Sequence, residues 1–129
     1  MIAPVLTTVA TVFAGLIGVA VVLMGARTFW APRAAVGFGI PGTPAQDRTF
    51  HAWLAVKAVR DIGCGLVILV LVAGATPQLL GWCLLMAAGI PVGDATVVLR
   101  SGGPQVAVWG IHGATAAVML TTSVLLLVS

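Results

Sequence analysis

Four long apolar stretches dominate the chain, and its polar residues fall between them or toward one end of them. A bilayer core of about 30 Å needs around 20 apolar residues per helix, and each stretch meets that length. The first, residues 4–25, contains no charge. The second, residues 44–73, opens with Thr43 and Gln46 at capping-box spacing and Pro44 in the first turn, so it is predicted to start in water and enter the membrane near Trp53. The third, residues 77–99, is interrupted by Gly89-Ile90-Pro91, and the fourth covers residues 104–127. The links Gly74-Ala75-Thr76 and Ser101-Gly102-Gly103 are too short for anything but antiparallel neighbours, whereas residues 26–43 form a longer loop. The pattern predicts one domain over residues 1–129, an all-α integral membrane four-helix bundle.

Composition supports the same solvent. Of the 129 residues 60% are hydrophobic and 7% charged, and mean hydropathy is +1.18. A soluble domain has about 25% charged residues, so this chain cannot coat a soluble globule. The sixteen glycines lack a three-residue period, which excludes collagen, and the apolar content excludes disorder. The first stretch has no basic n-region and is followed by Arg27, so it reads as a retained helix and not a signal peptide.

Six basic residues stand against three aspartates and no glutamate. They flank the apolar segments instead of forming a basic stripe, which points to topology and away from nucleic acid. Arg27, Arg33 and Arg48 lie between the first two helices, Lys57 and Arg60 in the first half of the second, and Arg100 at the end of the third. Four spans put all six on one side. By the positive-inside rule that side, with loop 26–43, is cytoplasmic, and both termini lie outside a bacterial cytoplasmic membrane. Cys64 and Cys83 lie in separate stretches without a C-x-x-C motif, which favours structural thiols over a quinone-linked redox pair. Ala14, Gly15, Gly18, Gly89, Gly93, Gly110 and Gly113 are candidates for close helix contact.

Ionisable groups at membrane depth are costly and therefore functional candidates. At about 1.5 Å rise per residue, Lys57 lies roughly 6 Å, Arg60 roughly 10 Å and Asp61 roughly 12 Å inward of Trp53. From the same side, Asp94 lies roughly 9 Å inward of Arg100 and His112 roughly 12 Å inward of Pro104. Three helices thus contribute to one polar layer in the cytoplasmic half. Lys57, Asp61, Cys64 and Ile68 share a face of the second helix, with Arg60 about 100° round at the rim. Pro91 frees the carbonyl of Ala87, so a kink is expected one turn before Asp94. On the fourth helix Gln105, His112, Thr115 and Met119 form a mixed face. Trp53, Cys64, Pro91, Gln105, Trp109, Thr115 and Met119 are the expected pocket lining. Trp30, Trp53, Trp82 and Trp109 read as interfacial residues, Met86 and Met119 as core, and Asp47, Arg48 and His51 as residues near the aqueous start of the second helix.

Three strings carry a resemblance: Lys57-Ala58-Val59-Arg60-Asp61-Ile62-Gly63-Cys64-Gly65-Leu66, Gly89-Ile90-Pro91-Val92-Gly93-Asp94-Ala95, and His112-Gly113-Ala114-Thr115-Ala116. With Gly37-Phe38-Gly39-Ile40-Pro41 upstream, they resemble an uncharacterised domain-of-unknown-function family of small four-helix membrane proteins from bacteria and fungi, over about residues 36–120. The resemblance implies the fold and the notable residues but no activity. Small multidrug transporters are similar only in size, since they carry a carboxylate in the first helix and this chain has none there.

The function expected from the residues is acid–base catalysis on a lipophilic small molecule: isomerisation, cyclisation or epoxide opening by hydrolysis. Asp94 would be general acid, Asp61 base or water-orienter and His112 proton relay, with Arg60 and Lys57 tuning the site. One carboxylate can hold its proton while the other, paired with Lys57 or Arg60, stays ionised. A proton-coupled carrier is the first alternative, but the outer half offers only hydroxyls such as Thr7, Thr8, Thr121 and Thr122. An accessory subunit with a structural ion-pair lock is the second. The expected partners are the substrate, membrane lipid and, compatibly, a second copy. No cofactor is implied, and a metal at Asp61, Asp94 and His112 would be repelled by Lys57 and Arg60.

Overall fold

The computed structural model describes all of residues 1–129 and is entirely helical. Helix α1 spans Ile2–Arg27, α2 Arg48–Gly74, α3 Pro77–Ala87, α4 Gly89–Arg100 and α5 Ala114–Val128. A 3-10 helix, Pro32–Phe38, lies in the first loop, and a π-helical segment, Val106–Gly113, leads directly into α5. Three helical runs are long and apolar enough to cross a membrane: Ile2–Arg27, Pro77–Arg100 and Val106–Val128. Only 21 of the 129 residues are buried, while Val5, Phe13, Leu16, Leu66 and Val70 are exposed. An outer surface of that kind is stable only against an apolar solvent.

The helix ends follow local chemistry. Helix α2 starts later than the capping-box spacing predicts, because the Asp47 carboxylate caps it by accepting from the Phe50 N–H at 3.1 Å. Thr43 instead donates to the Ile40 carbonyl at 2.6 Å, and Gln46 accepts from Arg33 at 3.2 Å. His51 contacts the Ala45 carbonyl at 2.6 Å, tying the loop to the first turn of α2. Thr76 caps α3 through the Leu79 N–H, with Pro77 following as the first helical residue. The run Pro77–Arg100 divides at Ala88, three residues before Pro91. Arg27 and Arg100 occupy the last turns of α1 and α4, where the helix dipole favours cations.

Helices α1 and α2 pack antiparallel through a seam of small residues. A Cβ on Gly65 would lie 2.7 Å from the Gly18 carbonyl oxygen, and one on Gly25 would lie 2.8 Å from the Ala58 carbonyl oxygen. Glycine permits this backbone approach, as in membrane helix pairs generally. Of the other glycines expected in such contacts, Gly89 and Gly93 have nothing within 4 Å, and Gly110 meets only Val106 of its own segment. They face outward. The main core joins Ala10, Ala14, Ile68, Leu80, Leu84, Ala88, Met119 and Leu126. Met86, expected in that core, is 70% exposed. Its position, two residues on from Leu84, turns it to the opposite side of α3.

The second half is an antiparallel hairpin. Gly81 meets Leu126 and Leu127 at one end, while Val98 packs with Ala107 and Val108 at the other. Ser123 is fully buried and donates to the Gly81 carbonyl at 2.8 Å. Ser123→Ala is expected to lower stability by about 0.5–1.5 kcal/mol, the net value of one such hydrogen bond. Thermal unfolding in detergent reads this directly, and an unchanged midpoint would assign the α3–α5 contact to packing alone.

Candidate functional site

The ionisable residues of the sequence layer come from α2, α4 and the π-helical segment. On α2, one helical turn brings the Lys57 ammonium to 2.6 Å from the Asp61 carboxylate. This ion pair lies within a single helix, and its members are 45% and 24% exposed. It therefore does not tie one helix to another. Arg60, expected at the rim, is exposed and has no carboxylate partner. Asp94 on α4 is half-buried, within electrostatic reach of Lys57, His112 and Asp61. It forms no ion pair or hydrogen bond, and no buried side-chain nitrogen or oxygen is left unpartnered. The Asp94 carboxylate therefore keeps accessible surface without a protein partner.

His112 is 6% exposed, and its Nε2 lies 2.8 Å from the main-chain carbonyl of Phe38. The Phe38 ring packs on the imidazole at 4.3 Å between centroids, and the Lys57 ammonium lies 5.6 Å from the same ring's centroid. Phe38 thus packs on the π-helical segment with the Lys57 ammonium of α2 over its ring. Its location depends on Gly39, whose φ of +105° suits glycine and whose Cβ, if present, would lie 2.6 Å from that of Ala107. Gly103 packs equally tightly under the same loop, against the Gly39 carbonyl oxygen and Val98. The loop lies on the bundle end because two glycines permit it.

The remaining pocket candidates divide into separate groups. Thr115 and Met119 line an open groove of about 400 Å³ with Ile17, Gly110, Ile111, Ala114 and Val118. Trp109 lines a second groove of about 360 Å³ between α4 and α5, and its indole donates to Gln105 at 2.7 Å. Pro91 is buried, Cys64 is half-buried against the main core, and Trp53 is 70% exposed. Both cysteines are free and half-buried. The single mixed face expected for Gln105, His112, Thr115 and Met119 is split: His112 and Met119 are buried, whereas Gln105 and Thr115 are exposed. The expectation used α-helical rotation, and the π-helical hydrogen bonding of Val106–Gly113 changes the turn between Gln105 and Thr115. No group of three His, Cys, Asp or Glu side chains is arranged to hold a metal ion.

A family model described as a domain of unknown function, DUF4267, matches residues 18–126. The chain belongs to this family. The DUF4267 match begins at Gly18, in the α1–α2 seam, and ends at Leu126, in the main core, so it includes the whole polar layer. No curated protein and no solved structure matches the chain. Within the DUF4267 segment, sequence reasoning missed Phe38 as a site residue. Its sequence signal is the neighbouring Gly39, whose positive φ and close approach to Ala107 bring the Phe38 carbonyl to a histidine 74 residues away.

Proposed function

We propose that this protein is a membrane-embedded acid–base enzyme acting on a lipophilic small molecule by isomerisation, cyclisation or epoxide opening. The observation that carries the reading is Asp94, an open, unpartnered carboxylate within electrostatic reach of Lys57, Asp61 and His112. Asp94 serves as general acid, the Lys57-paired Asp61 orients the reacting group or water, and His112 accepts the proton. A proton given up by Asp94 to a leaving or ring oxygen returns to it through His112. Arg60 contributes positive potential from the exposed face. Pro91 bends the third span a turn before Asp94, giving the carboxylate access to substrate.

Two further facts support this reading over its rivals. An ion pair confined to α2 is poorly suited to locking helices together. Thr7, Thr8 and Thr122 donate to carbonyls four residues earlier in their own helices, so they offer a transported solute little. The test compares membranes carrying the wild-type chain or Asp94→Asn, incubated with the host's lipophilic extract and followed by mass spectrometry. A compound converted only by the wild type supports the enzyme. Identical profiles from two folded proteins remove it and direct attention to pH-driven flux in proteoliposomes.

In this reading α2 is a fourth span, α1 and α2 cross the bilayer as an antiparallel pair, and both termini lie outside. Reporter fusions are expected to place the N- and C-termini on the same, non-cytoplasmic side. Termini on opposite faces would mean an odd number of spans and would overturn the four-span topology.

A further inference from the structure

We infer that Phe38 is the positioning residue of this site: its carbonyl holds His112 with the proton on Nε2, leaving Nδ1 as the base, while its ring seats the imidazole against the Lys57 side of the layer. The inference rests on the acid–base reading only for what Nδ1 then does; the tautomer itself is a matter of structure.

A carbonyl can only accept, so the 2.8 Å contact requires Nε2 to donate. In a neutral imidazole the other nitrogen is then the acceptor, and a second-group contact of this kind selects which ring nitrogen is basic. Nδ1 has no protein partner, yet no buried side-chain nitrogen lacks one. Nδ1 therefore keeps some accessible surface, although His112 as a whole is buried. The two groups have complementary uses, one able to deliver a proton and the other to accept one.

The aromatic ring performs a second task. It contacts the imidazole at 4.3 Å and lies 5.6 Å from the Lys57 ammonium, so displacement of the loop disturbs both groups together. Nothing in the π-helical segment itself holds the imidazole: its only hydrogen bond goes to the loop. The π-helical segment presents the ring, and the loop sets its proton.

The experiment is nitrogen NMR of the full-length protein in nanodiscs, labelled at histidine. The chain has two histidines, so His51→Gln leaves His112 as the only signal. The expected result, read at a pH high enough to deprotonate free imidazole, is an Nδ1–H form suppressed about tenfold relative to the same protein unfolded in denaturant, as one ordinary hydrogen bond provides. Phe38→Leu, which retains the carbonyl, should keep this tautomer and lose only the aromatic shift on the imidazole protons. Gly39→Val, which displaces the carbonyl, should restore the mixture found in the unfolded chain.

The same mixture in folded and unfolded protein would overturn the inference. So would a tautomer unchanged in a folded Gly39→Val protein. If Gly39→Val does not fold, the wild-type ratio decides alone. None of these readings requires turnover, so their failure is distinguishable from failure of the Asp94→Asn conversion test.

Discussion

Under the proposed acid–base function, Asp94→Asn is expected to reduce conversion of a lipophilic substrate by about 10²- to 10⁴-fold, the usual contribution of a positioned general acid. Asparagine preserves the size of the side chain but cannot deliver the proton. Because Asp94 has no hydrogen-bond or ion-pair partner, the replacement breaks no contact, and the fold should persist. Loss of activity with an unchanged melting temperature is therefore the informative outcome. A matched variant separates chemistry from electrostatics: Lys57→Met removes the charge that pairs with Asp61, and its effect should be smaller than that of Asp94→Asn. Equal losses would move the essential role to the ion pair. Full activity in the double replacement of Lys57 and Asp61 by apolar residues would make that pair dispensable.

Gly65→Leu is expected to be strongly damaging to the packing of α1 on α2. The first added carbon would meet the Gly18 carbonyl oxygen at 2.7 Å, the Val22 main-chain nitrogen at 2.9 Å and the Val22 Cγ2 at 2.7 Å. Two of these atoms are backbone, so relief requires movement of α1 as a body and not rotation of a side chain. Overpacking typically costs about 1–3 kcal/mol, and a clash against backbone belongs at or above the upper end of that range. The control is Gly63→Leu, two residues earlier, where nothing lies within 4 Å. There the better helix propensity of leucine should contribute up to about 1 kcal/mol of stability. Opposite signs in thermal unfolding would establish the α1–α2 seam; similar small effects would mean that α2 does not pack on α1 at this register.

Several features could be read from the chain because each depends on short-range arithmetic. The rise per residue places Lys57, Asp61, Asp94 and His112 at similar depths whatever the side-chain details, and Asp94 does lie within electrostatic reach of the other three. The Lys57–Asp61 pair follows from a spacing of four on one helix. Where several local partners compete, spacing alone does not choose among them. Thr43 and Gln46 have the spacing of a cap, yet Asp47 supplies it, because a carboxylate beside the first free N–H groups is the stronger acceptor. The fourth stretch shows a harder limit. Its mixed face follows from α-helical rotation, and no residue in Val106–Gly113 announces π-helical hydrogen bonding.

Composition and periodicity decide the helical class and point to an apolar solvent and one polar layer, because a lipid environment penalises charge and unpaired backbone strongly enough to leave a mark along the chain. They do not decide which glycines meet. Gly18 and Gly65 form the seam while Gly89 and Gly93 look outward, a distinction made by helix rotation in three dimensions. Nor do they pair His112 with the carbonyl of Phe38. That contact joins a loop to a helix across 74 residues, and a main-chain acceptor has the same chemistry at every position in the chain. Only the packed structure selects one carbonyl among many, and with it the nitrogen of His112 that is free to accept a proton.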